Sequence, residues 1–358
     1  MGGAVHGLAS GDELERLVKS RSDDLPRNRR TSAFERRVAS VLEAHLSQVE
    51  HVVVACSGGP DSVAALIATV RNRPSGSVTA VYFDHQLRQA TETEGDVAFV
   101  AEMANRLGAC FVSGVPSVPL AGDEASAREA RYRCLAEMCA AHGAAVCVTG
   151  HTEDDQAETV LLRLARGSGL RGAGGMHVRA SWPTSGILDA FPELLRPLLA
   201  VSRAEIEGYL GVLGIDARLD PTNELVIYAR NRVRSRVIPE LEQFNSRAKR
   251  HLAAFAERAQ LDDEALEAWA EHEFEEHATV EDGVVNLTRS ALRPLLPAIN
   301  TRVVRLAARK IGIELTSEQL AGALTALGRT GYAVSVEGGE VRSGPLYLVV
   351  RRFRSPIT

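Results

Sequence analysis

A β-branched apolar run that ends in two glycines constrains the fold of this chain more than any other segment. Residues 52–70 read VVVACSGGPDSVAALIATV, and after the glycines the apolar residues recur with helical spacing. Glycines between a strand and a helix let the backbone approach a ligand closely and leave N–H groups free at the helix N-terminus, where they bind phosphate. The segment therefore predicts a phosphate-binding turn in an α/β fold.

The residues of this turn differ from those of a Walker A loop, because no Gly-Lys-Ser or Gly-Lys-Thr follows. Asp61 offers a carboxylate to Mg²⁺, and Ser57 and Ser62 offer hydroxyls to phosphate oxygens. An isolated Ser-Gly-Gly is more often only a capped helix start, but here a strand, both glycines, Asp61 and Ser62 coincide. The predicted nucleotide-binding residues of the turn are Ser57, Gly58, Gly59, Pro60, Asp61 and Ser62.

The alternation of apolar runs with amphipathic stretches extends the α/β pattern to residue 166. Strand-like runs and helical patterns alternate, the runs at 52–56, 78–83, 109–115 and 144–149 and the helices at 62–71, 94–107, 125–142 and 154–166. This order predicts a doubly wound parallel sheet, Rossmann-like, with ligands at the carboxyl ends of its strands. From Arg203 onward the pattern is mainly helical, with long stretches at about 230–277 and 298–310, and alternating residues at 332–352 predict small β-structure at the end.

A second polar motif, VTGHTEDDQAET, begins at Val148, where the fourth strand-like run ends. It places His151, Asp155 and Glu158 near one side of the first turns of the following helix. A lone histidine there more often packs or caps, and carboxylates in a first turn often only complement the helix dipole. Their coincidence with Asp154 and a glycine-rich loop at 167–175, downstream of a phosphate turn, favours a metal and nucleotide site.

The length of 358 residues exceeds what one hydrophobic core usually supports, so at least two domains are expected. We predict a polar N-terminal tail at 1–30, a catalytic domain at 31–240 and a second, substrate-reading domain at 241–358. The sequence has no apolar run of membrane-spanning length and no secretory signal, so we expect no membrane contact and a cytoplasmic location. Five cysteines without a C-x-x-C pair argue against a disulfide framework and a structural zinc site.

Charge is distributed unevenly around the predicted domain boundary. Basic residues outnumber acidic ones by seven to two between Tyr228 and Arg250, whereas acidic residues outnumber basic ones by eleven to one from Glu257 to Asp282. A charge run is usually only a solvated helix face. Next to a nucleotide site, the basic strip at 228–250 instead suggests contacts with nucleic-acid phosphates.

The glycine turn resembles the PP-loop of the N-type ATP pyrophosphatases, which cleave ATP to AMP and pyrophosphate. Four further segments narrow the resemblance, namely DHQLR, ASAREARY, RPLLAVSRAEI and DPTNELVIYARNRVRSRVIPELEQFN. With GHTEDDQAET they resemble the tRNA(Ile)-lysidine synthetase family from about Val52 to the C-terminal β-segment. The chain departs from the family pattern at Gln86, where glycine is usual, and at Leu225, where an acidic residue is common. The farther C-terminal domain of longer members is not matched, which predicts a shorter scheme of tRNA recognition.

This resemblance implies an ATP-dependent ligase that attaches free L-lysine to the wobble cytidine of a CAU-anticodon isoleucine tRNA. It implies that ATP adenylates the oxygen on carbon-2 of the base, and that the lysine ε-amine then displaces AMP. Residues 241–358 become the tRNA-recognition domain, and a homodimer stays open as the assembly. The implied catalytic residues are Asp61, Arg131, His151, Asp155 and Arg230, with Asp61 and Asp155 holding Mg²⁺ and with Asp84 and His85 beside ATP.

Two other functions stay open on the sequence alone. A PP-loop tRNA thiolase shares the turn but usually needs an exposed catalytic cysteine or a C-x-x-C pair. The cysteines of this chain fall mainly in strand-like or helical interiors. A non-catalytic tRNA-binding protein on a degenerate PP-loop fold would not need intact Asp61, His151 and Asp155.

Overall fold

The computed structural model describes residues 25–74, 76–84, 90–116, 124–184, 191–218 and 229–353. The chain divides after Glu257 into two compact units. In chain order, the elements that begin in the first unit are α1 (Arg29–Leu46), β1 (Val52–Ala55), α2 (Pro60–Arg71), β2 (Val78–Phe83), α3 (Ala90–Leu107), β3 (Cys110–Gly114), α4 (Glu124–Ala141), β4 (Val146–Val148), α5 (Glu153–Ala165), α6 (Leu170–Ala173), β5 (Arg179–Ala180), β6 (Glu193–Leu195), α7 (Arg203–Leu213), α8 (Ala229–Arg232), a π-helical turn (Val233–Val237), α9 (Ile238–Phe244) and α10 (Ala248–His277).

The sheet of the first unit has the strand order β3-β2-β1-β4-β6-β5. Its strands are parallel except β5, which runs antiparallel to β6. The chain order reverses between β1 and β4, which are neighbours, so a crevice is expected at the carboxyl ends of these two strands. The predicted doubly wound parallel sheet is confirmed.

The central strand β1 is buried on both faces of the sheet. Val52 and Val54 belong to one hydrophobic cluster, and Val53 belongs to a second cluster on the opposite face. Helices cover both sides of a doubly wound sheet, so its inner strands are near-continuous runs of apolar residues. The run VVVAC was therefore correctly predicted to be a buried strand.

The short strands β5 and β6 at the edge of the sheet were not predicted. They contain only two and three residues, Arg179–Ala180 and Glu193–Leu195. Such pieces are too short to show alternation, and they form because β6 pairs with β4 and β5 pairs with β6.

The long helical stretch predicted at 230–277 is interrupted. The chain forms α8, widens into the π-helical turn, continues as α9, and breaks again before α10. Pro239 lies in the first turn of α9 and has no N–H to continue an α-helical ladder, which accounts for a wider turn just before it. The turn carries Arg234, which the site described below uses.

The second unit contains an antiparallel sheet of strand order β7-β8-β11-β10-β9. After α10 its elements are β7 (Ala278–Glu281), β8 (Val284–Thr288), α11 (Arg289–Leu292), α12 (Pro297–Lys310), α13 (Ser317–Gly328), β9 (Ala333–Val336), β10 (Gly339–Ser343) and β11 (Tyr347–Arg352). The predicted terminal β-segment is confirmed as β9 to β11. The hairpin of β7 and β8 was not predicted, because β7 is mostly exposed and has little apolar alternation.

No helix among the described residues is long and apolar enough to cross a membrane. Residues 1–24 of the predicted polar tail lie outside the described residues. At the end of that segment Leu25 is buried, and α1 begins at Arg29 with Asn28 as its N-cap. The predicted boundary between residues 240 and 241 stays a prediction.

Candidate active site

The phosphate-binding turn joins β1 to α2. Gly58 has a φ of +85°, and Gly59 caps α2 in an extended conformation with Pro60 in the first turn. The Ser62 hydroxyl donates to the Gly59 carbonyl oxygen (2.8 Å) and accepts from the Ser57 N–H (3.1 Å). Ser62 therefore holds the shape of the turn, and the first N–H groups of α2 keep the freedom from intrahelical partners that phosphate binding requires.

Gly150 follows β4 and lies directly against this turn. A Cβ atom on Gly150 would lie only 2.6 Å from the Asp61 carbonyl oxygen. The loop between β4 and α5 can therefore approach α2 this closely only with glycine at that position. The packing places His151 and Asp155 in the same pocket as Asp61, at the point where the strand order reverses.

A pocket of about 530 Å³ lies at this edge of the sheet. The predicted site residues that line it are Ser57, Gly59, Pro60, Asp61, Ser62, Arg131, His151 and Asp155. Asp84 is not one of the lining residues, and its N–H donates to the Gly114 carbonyl oxygen (2.9 Å) at the end of the neighbouring strand. His85, Gln86 and Leu225 lie outside the described residues.

Only one of the two oxygens of the Asp61 carboxylate has a hydrogen-bond partner among the described residues. Its Oδ2 lies 3.2 Å from Arg203 Nη2, whereas its Oδ1 is buried and has no hydrogen-bond partner among the described residues. The pKa of Asp61 is raised above its usual value. Burial raises it most, the nearby charges of Asp155 and Asp154 add to that effect, and the Arg203 guanidinium opposes it. A buried carboxylate oxygen without a partner is costly, so a cation at this position would be well stabilised.

Among these residues, Asp61 has the chemistry of a single protein ligand for Mg²⁺. Mg²⁺ keeps several waters and is usually held by one or two carboxylates together with substrate phosphates. No group of three or more His, Cys, Asp or Glu residues in the part of the chain that the structure describes could hold a metal by itself. The buried Oδ1 of Asp61, beside a phosphate-binding turn, has the chemistry of such a shared site.

Asp155, the second predicted metal ligand, already has partners on both oxygens. Its Oδ2 accepts from the backbone N–H (2.9 Å) and the hydroxyl (3.0 Å) of Thr152, which form a capping box at the start of α5. Its Oδ1 accepts from Arg230 Nη2 (2.9 Å). Burial by itself would raise the pKa of Asp155, but the nearby Arg230 and the hydrogen bond from the Thr152 N–H lower it below its usual value. Metal ligation by Asp155 stays a prediction, and it would require an exchange of these partners.

Glu158, one helical turn further along α5, is almost fully buried and binds two arginines. Arg230 Nε lies 2.7 Å from its Oε2, and Arg234 Nε lies 2.6 Å from its Oε1. Breaking such a pair on one side would leave a buried charge alone. Glu158 thus holds the two arginines at the site, and each of its oxygens already accepts a hydrogen bond from an arginine.

His151 is neutral in this environment. Its Nδ1 lies 2.8 Å from the Thr149 hydroxyl oxygen. Burial lowers the pKa of His151 to about 3, and the positive charges of Arg196, Arg131 and Arg230 act in the same direction, against Asp155. A neutral imidazole among arginines can hydrogen-bond to a base or phosphate without adding to the positive charge.

Arg131 comes from α4 and lies in the same pocket. Its Cζ lies 5.3 Å from the centre of the Tyr132 ring, and Arg128 approaches the same ring at 4.9 Å. Burial lowers the pKa of Arg131, but an arginine stays charged at neutral pH. The pocket therefore combines a half-buried positive charge with the phosphate-binding turn, which suits an anionic substrate.

Three arginines of the site were not predicted. Arg203 binds Asp61, Arg234 binds Glu158, and Arg218 donates from Nε to Asp96 Oδ1 (2.8 Å) while its backbone N–H donates to the Gly58 carbonyl oxygen (3.0 Å). None of these arginines directly follows a strand of the parallel sheet, so no local sequence pattern predicts that it belongs to the site. The only signal was that Arg203 and Arg234 stand in segments that carry the family resemblance.

Comparisons with known proteins show the family and the fold to which this chain belongs. A family profile described as a PP-loop domain matches residues 30–241. A tRNA(Ile)-lysidine synthase of Salinispora tropica is 40% identical over 292 residues, which cover 77% of this chain and 82% of the relative. The tRNA(Ile)-lysidine synthase of Thermobifida fusca is 38% identical over 281 residues, covering 77% and 80%. A solved U34-tRNA thiolase of Methanococcus maripaludis has a TM-score of 0.50 at 17% identity over 63% of this chain and 78% of its own, which shows the fold alone.

The parallel sheet, the glycine turn and the matched profile define a PP-loop protein that uses ATP. Within that class the relatives over most of the chain are ATP-dependent ligases. The chain belongs to the tRNA(Ile)-lysidine synthase family. The resemblance drawn from the sequence motifs is confirmed.

Proposed function

We propose that this protein ligates free L-lysine to the wobble cytidine of a CAU-anticodon isoleucine tRNA. In the first step the oxygen on carbon-2 of the cytosine attacks the α-phosphorus of ATP, and pyrophosphate leaves. In the second step the ε-amine of lysine attacks carbon-2, the bond from carbon-2 to the adenylate oxygen breaks, and AMP leaves with that oxygen. The attacking amine releases its protons, and the base becomes lysidine.

The observation that carries this proposal is the convergence of two motifs on one pocket in a chain of this family. The glycine turn after β1 and the polar motif after β4 are distant in sequence, yet Asp61, His151 and Asp155 line the same 530 Å³ space. A phosphate-binding helix N-terminus, a half-buried carboxylate and half-buried arginines would suit a triphosphate and the charge that develops when it is cleaved.

The turn and Asp61 would hold the nucleotide. Backbone N–H groups at the start of α2, together with the hydroxyl of Ser57, bind the phosphates that become pyrophosphate. Asp61 would hold Mg²⁺ through the oxygen that has no partner among the described residues. The ion would supply charge neutralisation on the departing pyrophosphate.

The remaining predicted residues would stabilise the acceptor side of the reaction. Arg131, which lines the pocket, would offset negative charge on the α-phosphate during adenylation. Arg230 does not line the pocket itself, but it is paired with Asp155 and Glu158 and would assist from there. His151, held by Thr149 and neutral, is suited to hydrogen-bond and orient the base. Positioning of this kind is a large part of catalysis when two substrates must meet.

The tRNA itself would be read as a single strand at the anticodon. Unpaired bases can be splayed out and bonded on their edges, whereas contacts with phosphates only position the RNA. The exposed Arg247 and Arg250 of the basic strip are candidates for such phosphate contacts.

A thiolase function is less well supported by the site. Cys56 lines the pocket, but it is buried, its Sγ lies 3.7 Å from Ser62 Oγ, and burial raises its pKa. A thiol with a raised pKa is a poor nucleophile at neutral pH. Cys110, the exposed cysteine among the five, does not line the pocket.

The test is mass analysis of the anticodon nucleoside after incubation of the protein with ATP, Mg²⁺, lysine and a CAU-anticodon tRNA. A lysine adduct with equimolar AMP and pyrophosphate supports the proposal. Replacement of oxygen by sulfur would support a thiolase instead. An unchanged nucleoside, together with no ATP–pyrophosphate exchange, would indicate a non-catalytic RNA-binding protein.

Two matched controls sharpen this experiment. The same tRNA with uridine in place of the wobble cytidine lacks the acceptor base and should give no product. Omission of lysine should still allow pyrophosphate release on the cytidine tRNA, because adenylation precedes attack by the amine. A need for lysine before any pyrophosphate appears would contradict the proposed order of steps.

A further inference from the structure

Arg203 lines the pocket of the site, and the proposed reaction gives it no role. Its Nη2 is 3.2 Å from Asp61 Oδ2, and its backbone N–H donates to Asp154 Oδ2 (2.9 Å). Asp154 is in turn held by Lys249 Nζ at 2.8 Å from its Oδ1. Arg203 is therefore anchored at its backbone by one carboxylate and bound at its guanidinium by another.

The ion pair of Arg203 with Asp61 competes with the cation that Asp61 is proposed to hold. Two positive charges on one carboxylate repel each other, and the repulsion is strong where water is partly excluded. The exposed fractions of the two side chains are 29% for Arg203 and 20% for Asp61, so the pair is neither sealed in the core nor open to bulk water. A pair of this kind can break when a better partner for either side arrives.

The backbone of Arg203 is fixed while its side chain has room to move. Ser202 and Glu205 form a capping box that fixes the start of α7. The guanidinium has Asp61 as its ion-pair partner among the described residues, and it lines the pocket that the phosphate turn also lines. A guanidinium released from Asp61 would thus be within the same pocket as the phosphates of a bound nucleotide.

We propose that Arg203 is an exchangeable counter-ion: it neutralises Asp61 before Mg²⁺ arrives and then moves to the phosphates of ATP. This inference rests on the proposed function, because it requires Asp61 to hold the cation. The exchange keeps the buried carboxylate paired at each stage, and it makes tight cation binding depend on the nucleotide that takes Arg203 away.

The proposal predicts effects of opposite sign on two binding equilibria. Without Arg203, Mn²⁺ alone should bind more tightly, by about three- to fivefold, because its competitor at Asp61 is gone. The complex of ATP with the metal should bind more weakly, by about tenfold or more, because a charge-assisted hydrogen bond to phosphate is lost. An arginine that only supports the fold would weaken both.

The experiment measures Mn²⁺ binding by electron paramagnetic resonance, and ATP binding in Mg²⁺ by calorimetry, on the full chain at mildly alkaline pH. The variants are Arg203→Met and Arg203→Gln, with circular dichroism to confirm folding. Arg37→Met is the matched control, since Arg37 pairs with Glu205 in the same first turn of α7 but does not contact Asp61. The control should leave both affinities unchanged.

The variant Asp61→Asn separates failure of this inference from failure of the proposed function. If Asp61→Asn leaves Mn²⁺ binding unchanged, the metal is elsewhere and the proposed role of Asp61 is wrong. If Asp61→Asn removes Mn²⁺ binding but the Arg203 variants bind Mn²⁺ no more tightly than the parent, the exchange is refuted. Tighter Mn²⁺ binding combined with weaker ATP binding in both Arg203 variants supports it.

Discussion

Replacement of Asp61 by asparagine is the most direct test of the site. The change removes one negative charge and keeps the shape of the side chain. In the fold, one oxygen of the Asp61 carboxylate is paired with Arg203, and the other oxygen is buried without a partner among the described residues. Because a buried charge costs more to desolvate than an amide, we expect the variant to be within about 1 kcal/mol of the parent in stability. That corresponds to a shift of about 2–4 °C in melting temperature.

Activity should respond very differently from stability. A single group that stabilises charge developing in a transition state contributes roughly 3 kcal/mol, or about 100-fold in rate. We therefore expect release of pyrophosphate by Asp61→Asn to fall about 100-fold. Affinity for the tRNA should not change, because the proposed function assigns Asp61 to the nucleotide and not to the RNA. Single-turnover pyrophosphate release over a titration of Mg²⁺ measures the first effect, and filter binding of labelled tRNA measures the second.

Asp263→Asn is a suitable control for this experiment. Asp263 is a partly buried carboxylate paired with Arg302 in the second unit, with exposed fractions of 16% and 13%. Its replacement should lower stability and leave turnover intact. Near-normal turnover of Asp61→Asn at saturating Mg²⁺ would refute the assignment of Asp61, and so would a loss of activity that merely follows a loss of folded protein.

Four further predictions concern other parts of the site. The fold lowers the pKa of His151 from 6.5 to about 3, so the unfolded chain binds that proton more tightly and stability falls as pH drops below 6.5. Thermal unfolding between about pH 8 and 5 should show a loss of roughly 1 kcal/mol per pH unit below that value, which His151→Gln reduces. Glu158→Gln should cost about 3 kcal/mol in urea unfolding, because two arginines lose a buried partner. Cys56→Ala should remain active in the nucleoside assay, whereas a folded but inactive variant would favour a tRNA thiolase function. Charge reversal at Arg247 and Arg250 should weaken tRNA binding and flatten its dependence on salt, with ATP affinity unchanged.

The site residues that the sequence could predict are those next to strand ends. Asp61 follows β1 and His151 follows β4, and in a doubly wound sheet the carboxyl ends of neighbouring strands meet at one edge. Local pattern and one topological rule were therefore enough to bring them together. The same reasoning found β1 to β4, which lie in apolar runs of five to seven residues, and missed β5 and β6, which pair with each other and with β4 over only two or three residues.

Arg203 and Arg218 could not be placed in this way. Arg203 reaches Asp61 because the start of α7 is held against α5 by a hydrogen bond from its backbone to Asp154. Arg218 reaches the turn because its N–H pairs with the Gly58 carbonyl oxygen. Both contacts join segments more than a hundred residues apart, and in a single sequence such contacts leave no periodic signal.

The basic strip shows why a count of charges does not locate a nucleic-acid surface. Lys249 is one of its seven basic residues, and its ammonium is held 2.8 Å from Asp154 at the start of α5. Two of the arginines are likewise paired with carboxylates of α5. A cation already neutralised in this way releases few counterions when RNA binds, so a charge reversal at Lys249 would disturb α5 instead of testing RNA affinity. Arg247 and Arg250 are exposed, so the salt dependence of tRNA binding should depend on them and not on Lys249.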